Sequence, residues 1–195
     1  MLKHDQGFTL VELMVTVAVL AISMSFAVPF MGDFIKNSRL VTQTNDLIAS
    51  FQLARSEAIK RGARVTLCKS TDGVLCDPAA DGRWDIGWIT FVDTFVDPAV
   101  DIGIRDPGNP DETLIDTRAA TPLNVAIAPQ APPDDVSVKD YVSYTAQGIV
   151  RDAAGAAQTG TFRICDDRGP TKGRGVVLWP TGRVELTTNI ATCPS

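Results

Sequence analysis

The sequence predicts an α+β protein: a long amino-terminal transmembrane and spine helix packed on an antiparallel β-sheet head. Three observations carry that expectation. From Phe8 to Phe30 a single charged residue, Glu12, interrupts 23 residues. From Asp33 to Arg61 apolar residues recur at helical spacing, and beyond Gly62 the period falls to two. The 195 residues leave room for an anchor helix and one head with its own core.

The apolar stretch comes first. As a helix, residues 8–30 would measure roughly 35 Å, enough to cross a hydrocarbon core of about 30 Å. Only Met1 to Gly7 precede it. An ordinary secretory signal is cut after its apolar region, beside small residues. Here the polar leader, Gly7, Phe8 and Glu12 all stand before or at its start. A carboxylate in hydrocarbon costs at least about 2.5 kcal/mol and calls for a partner. Glu12 lies one turn from Phe8, where it could meet an amino group of its own chain or of a neighbour; the competing reading is a Glu at the membrane interface that reaches water. Near the end of the run, Pro29 removes a backbone donor and opposes the carbonyl of Ser25, so a kink is expected there, with slack at Gly32.

From Asp33 to Arg61 the helix becomes amphipathic. Leu40, Leu47, Phe51, Ala54 and Ala58 form one stripe, with Ile48 and Ile59 beside it. Lys60 and Arg61 suit the negative end of the helix, and Gly62 stops it. The expected segments are therefore a leader over 1–7, a transmembrane and assembly helix over 8–31, the amphipathic half of the helix over 32–62, and a β-rich head over 63–195. Within the head, strands are expected over 64–68, 87–92, 123–128, 136–144, 161–165, 175–179 and 183–188. Pro180-Thr181-Gly182 reads as the hairpin turn joining the last two. Residues 94–121, rich in Asp and Pro, read as an elaborated loop.

Four cysteines in a head expected outside the cytoplasm point to oxidised pairs. Cys68 and Cys76 bracket a short loop whose Asp72-Gly73 turn brings its ends together. Cys165 ends a strand and Cys193 sits in the tail, where a bridge prevents fraying. The expected pairs are 68–76 and 165–193. Zinc is the rival reading, but no Cys-x-x-Cys spacing occurs and His4, the sole histidine, lies in the leader. No metal and no cofactor are expected. The sequence has no glycine-rich phosphate loop and no coherent catalytic cluster; an enzyme is not expected.

The net charge is −5, unfavourable for general nucleic-acid binding. It is unevenly spread: residues 70–138 carry three Lys and Arg against thirteen Asp and Glu. In that acidic stretch Asp93, Asp97, Asp101 and Asp106 are candidate calcium ligands, although no EF-hand spacing exists and a solvated loop is the plainer expectation.

The run Gly7-Phe8-Thr9-Leu10-Val11-Glu12 resembles the prepilin leader of type IV pilins and type II secretion pseudopilins. In that family a membrane peptidase cuts between the Gly and the Phe, and the new terminus is N-methylated. The resemblance implies cleavage between Gly7 and Phe8 and methylation of Phe8. It implies that Glu12 neutralises the terminal amine of an adjacent protomer during assembly. The stretches Leu53 to Ile59, Val65 to Cys68, Gly87 to Asp93 and Thr181 to Val184 are similar to the FimT/GspH group of minor pilins and pseudopilins.

That resemblance implies the pilin fold and a single-pass inner-membrane protein with its head in the periplasm. It further implies later entry into a pilus or pseudopilus beside other major and minor pilins. The leading expectation is a minor type IV pilin, processed by prepilin peptidase, that helps prime or cap fibre assembly; a type II secretion pseudopilin is the alternative within the group. A DNA-binding competence pilin at the pilus tip is the alternative of another class. Members that capture DNA carry Gly-Arg-x-Arg, whereas this chain reads Gly182-Arg183-Val184-Glu185, placing a carboxylate where phosphate would need a cation. Arg174 and Arg183, with Arg168 and Lys172, are the residues left for such a contact.

Overall fold

The computed structural model describes residues 7–79, 82–94, 102–122, 124–130 and 136–194, without the side chains of residues 26–30 and 136. The expected kink at Pro29 and the candidate ligands Asp97 and Asp101 lie outside the described residues. Two compact units make up the chain, residues 1–38 and residues 39–195. Helix α1 (Leu10–Arg61) belongs to both.

In the first unit the helix is apolar on every side, with Leu10, Val11, Leu13, Met14, Val15, Val17, Val19, Leu20, Ile22 and Met24 all exposed. Among the described residues no helix is long and apolar enough to cross a membrane. The stretch whose side chains are described ends at Ser25, short of the about 20 residues such a crossing needs.

In the second unit the stripe read from the sequence is buried. Leu40, Leu47, Phe51, Ala54 and Ala58 are each at most 1% exposed, while Ile59, expected beside them, is 54% exposed. Gly62, at φ 63°, ends the helix, and Ala63 N–H returns to the Ala58 carbonyl at 3.3 Å. That bond and the left-handed glycine make a Schellman cap.

Among the described residues the head contains eight strands: β1 (Val65–Lys69), β2 (Gly87–Val92), β3 (Leu114–Ala119), β4 (Ala126–Pro129), β5 (Tyr141–Tyr144), β6 (Gly160–Cys165), β7 (Arg174–Leu178) and β8 (Val184–Thr187). They form two four-stranded antiparallel sheets, ordered β3-β2-β1-β5 and β4-β6-β7-β8. The antiparallel head expected from the sequence is present, and two of the expected elements differ. The strand expected over 136–144 is a 3-10 turn (Val136–Val138) followed by β5. Residues 94–121 contain β3, which pairs with β2 along Ala119 to Leu114 with a register shift at Thr90/Phe91.

Inward residues of both sheets meet the helix in one core. Val65, Leu67, Trp84, Trp88, Val142 and Tyr144 come from or adjoin the first sheet, and Ile127, Phe162, Ile164, Val176 and Leu178 come from the second. Phe51 and Trp84 both approach the Phe162 ring at 5.2 Å, tilted and edge-on respectively. Trp88 Nε1 donates to Ser50 Oγ at 2.9 Å, so the indole enters the core without an unmet donor. On the opposite face of the first sheet, Cys68, Ile89 and Phe91 form a smaller cluster with Cys76 and Tyr141.

Both disulfides are the expected ones, Cys68–Cys76 and Cys165–Cys193. The first closes the loop that Asp72 organises by accepting N–H bonds from Val74 and Leu75, contacts that hold its carboxyl below the usual range. The second ties down the tail, helped by Arg163, whose Nη1 donates to Thr192 Oγ1 at 2.6 Å and Nη2 to the Pro129 carbonyl at 3.0 Å.

Two anchors fasten the segment before β3. Buried Asp93 accepts bonds from the Thr66 hydroxyl and from Gly103 N–H. Glu112, 4% exposed, accepts Asp106 N–H at 2.6 Å. Burial pushes the Glu112 carboxyl above the ordinary Glu range. Negative Asp93 and Asp106 add to that, against the Asp106 N–H and the Arg105 cation.

A third contact joins helix and hairpin. Arg55 Nη2 donates to the Thr181 carbonyl at 3.1 Å, and Gly182, at φ 76°, lies so close to Gly148 that an added Cβ would stand 2.1 Å from its carbonyl oxygen. Gly155, also left-handed at φ 82°, has open space around it.

Gly182→Ala is therefore expected to cost roughly 3 kcal/mol, because it adds a collision to the about 1–2 kcal/mol of left-handed strain that Gly155→Ala incurs alone. Denaturant unfolding of the full-length chain in detergent compares the two; equal losses would remove the close-approach explanation. For Glu112, a raised native pKa means stability present below the unfolded pKa and lost as pH rises through the native one. Glu112→Gln keeps the acceptor for Asp106 N–H without the charge. Its thermal midpoint is expected to exceed the parent's by roughly 2 °C at neutral pH and to converge with it in acid; thermal scans across pH check this.

Candidate functional site

The distinctive chemistry lies at the amino-terminal end. Gly7 to Thr9 are non-helical and α1 begins at Leu10. Thr9 caps the helix: its Oγ1 accepts Glu12 N–H at 3.2 Å, and its carbonyl accepts Leu13 N–H at 3.2 Å. Thr9 and Glu12 thus hold the first and last places of the Thr-x-x-Glu pattern that favours a helix start, and the positive helix end favours the carboxylate of Glu12. The capping role of Thr9 is not among the expectations drawn from the sequence, although the Thr-x-x-Glu spacing was its signal.

The surroundings of Glu12 are apolar. Phe8 is 85% exposed, and the large side chains from Leu10 to Met24 cover all sides of the helix. Thr16, Ser23 and Ser25 return their hydroxyls to the carbonyls of Leu13, Val19 and Ile22 at 2.7–2.8 Å. These polar residues satisfy themselves within the helix and ask nothing of their surroundings. Among the described residues no side chain pairs with the Glu12 carboxylate.

Gly7 has no atom within 4 Å of where a Cβ would stand. Its lack of a side chain therefore serves no packing within the described chain.

Of the residues considered for DNA, Arg174 and Arg183 are not brought together. Arg174 opens β7, whereas Arg183 directly precedes β8, opposite the far end of β7. About five strand residues separate them, roughly 16 Å. Arg183 Nη2 bonds Glu185 Oε2 at 3.0 Å, and its guanidinium lies 5.8 Å from the Trp179 ring centre. Arg168 is forked onto Asp166, with Nη2 at 2.7 Å from Oδ2. The carboxylate that breaks the Gly-Arg-x-Arg pattern is thus the one that engages its remaining arginine.

Of the acidic candidates, Asp93 is committed to Thr66 and Gly103, and Asp106 Oδ1 accepts Gly108 N–H in an exposed turn. Among the described residues no group of acids, cysteines or histidines is arranged to hold a metal ion. The described residues of the head include hollows at two places. One of about 400 Å³ lies beside the Cys165–Cys193 bridge, and one of about 450 Å³ is lined by Cys76, Pro78, Ile102, Ile104, Asp140 and Tyr141. The Asp140 carboxylate at the second is held by fully buried Lys69, Nζ to Oδ1 2.8 Å.

Comparisons with known proteins bear on both units. The GspH family, described as type II transport protein GspH, matches residues 43–182, and the prokaryotic N-terminal methylation motif matches residues 2–28. No curated protein matches the sequence. Among solved structures, the chain is similar to the type IV minor pilin FimU of Pseudomonas aeruginosa. The identity is 19% and the TM-score 0.53, over 79% of this chain and 92% of that one. A second crystal form of FimU aligns with a TM-score of 0.46 at 19% identity, over 76% and 92%. The minor pseudopilin EpsH of the Vibrio cholerae type 2 secretion system aligns at 0.45 and 11% identity, over 76% and 96%. The family match spans most of the head and the last part of the helix, the methylation motif spans its start, and the chain belongs to the GspH family.

Proposed function

We propose that the chain is a minor type IV pilin that enters a fibre through its first helix and helps prime or cap pilus assembly. The observation that carries this reading is the all-round apolar helix after Phe8 with Glu12 as its unpaired acid. Pilins and pseudopilins are structural proteins, and membership implies assembly with others of their kind. On this reading prepilin peptidase removes residues 1–7 and Phe8 is methylated. Residues 8–31 hold the protein in the inner membrane as a single pass, and the head folds in the periplasm, where its two disulfides form. The Glu12 carboxylate then meets the terminal amine of a neighbouring protomer, replacing a costly isolated charge in hydrocarbon by an ion pair. Residues 8–31, 32–62 and 63–195 divide the labour into anchoring and packing, bridging, and presenting a head.

A second reading, a minor pseudopilin of a type II secretion system, is favoured by the description of the matching family. Deleting the chain distinguishes the two. Loss of surface pili with secretion intact supports the pilin, and loss of secreted enzymes with pili intact supports the pseudopilin.

Two outcomes are expected of the native protein. Mass spectrometry of the membrane fraction finds a chain beginning at monomethylated Phe8; a retained Met1–Gly7 segment in cells with active prepilin peptidase would falsify the processing step. Glu12→Ala remains in the membrane fraction at parental levels but falls at least about tenfold in sheared fibres, read by immunoblot of both fractions, the size of effect a lost charge-assisted contact of about 1.4 kcal/mol produces. Parental levels in the fibre would remove Glu12 from assembly.

A further inference from the structure

We infer that Thr9 is a positioning residue for leader removal, keeping the Gly7–Phe8 bond outside the helix. The inference rests on the processing step proposed above and adds a residue to it. Thr9 Oγ1 takes the Glu12 N–H, and the helix starts at Leu10, so Gly7 and Phe8 stay non-helical. Without that hydroxyl, Glu12 N–H has one natural replacement, the carbonyl of residue i−4, which is Phe8. A helix extended by one more residue would pair Val11 N–H with the Gly7 carbonyl, the carbonyl of the bond to be cut. In apolar surroundings an unmet N–H is costly, so loss of the cap drives extension toward the leader.

The chemistry requires that carbonyl to be free. Hydrolysis breaks the bond between the Gly7 carbonyl carbon and the Phe8 nitrogen. The oxygen of water joins the Gly7 carboxylate, and both protons of that water go to the Phe8 nitrogen, which leaves as the ammonium. A Gly7 carbonyl engaged in a helix is turned along the helix axis and shielded by the following turn, whereas an unengaged one is open to attack. Thr9 touches neither water nor the scissile atoms; it acts by deciding where helical hydrogen bonding begins.

The test uses the full-length chain in detergent micelles with purified prepilin peptidase, so that membrane insertion is not a variable, and follows leader loss over time. Thr9→Val, which keeps the shape and removes the acceptor, is expected to be cut about fivefold more slowly. That factor corresponds to about 1 kcal/mol at 1.4 kcal/mol per tenfold, the worth of an N-cap side chain. Thr9→Ser and Thr9→Asn both retain an acceptor and are expected to be cut within about twofold of the parent. Cleavage of Thr9→Val at the parental rate, or slowing of Thr9→Ser to the level of Thr9→Val, overturns the role of the cap. If the parent itself is not cut between Gly7 and Phe8, the processing step fails and takes this inference with it.

Discussion

Ser50 and Phe51 are neighbours in the chain, and between them they hold the head together. Ser50 Oγ receives the indole N–H of Trp88, which belongs to the first sheet, and Phe51 packs on Phe162, which belongs to the second. A single helical turn therefore fastens two sheets that share no strand. Everything else in the head is arranged around that meeting. Leu40, Leu47, Ala54 and Ala58 continue the seam in both directions, with the two alanines giving the backbone a close approach. The Arg55 contact to Thr181 then closes the hairpin end, where Gly182 and Gly148 permit near-contact of two backbones.

Much of this was legible in the sequence because it obeys a simple period. The helical stripe could be read residue by residue, as could the Gly62 stop, the strand over 87–92, the Pro180-Thr181-Gly182 turn and both disulfides. What escaped the reading did so for physical reasons. Strand β3 carries Asp116 and Arg118 on the face it shares with Trp88, and there Arg118 pairs both with Asp116 and with Asp46 of the helix. An edge strand whose inner face is an ion-pair network looks like a loop to a hydrophobic pattern. Ile59 is apolar, yet it stands at the helix end where the core has run out, and it is left exposed. The division into two sheets depends on long-range pairing, which local alternation does not encode.

The amino-terminal segment was legible in a different way. Its apolarity and its lone acid stand out in the sequence, but the geometry adds how polarity is disposed along it. Thr16, Ser23 and Ser25 spend their hydroxyls on their own helix, and Thr9 spends its hydroxyl at the helix start. Glu12 is left as the group whose charge must be answered from elsewhere. A short stretch of chain thereby separates residues that complete the helix from the one that reaches beyond it.

Two of the outer strands bear on how one head would meet another. β3 bears Asp116 and Arg118, and β8 presents Glu185. Charge on an outer strand discourages one sheet from adding to another. Growth of a continuous sheet from head to head is thereby disfavoured at these two edges.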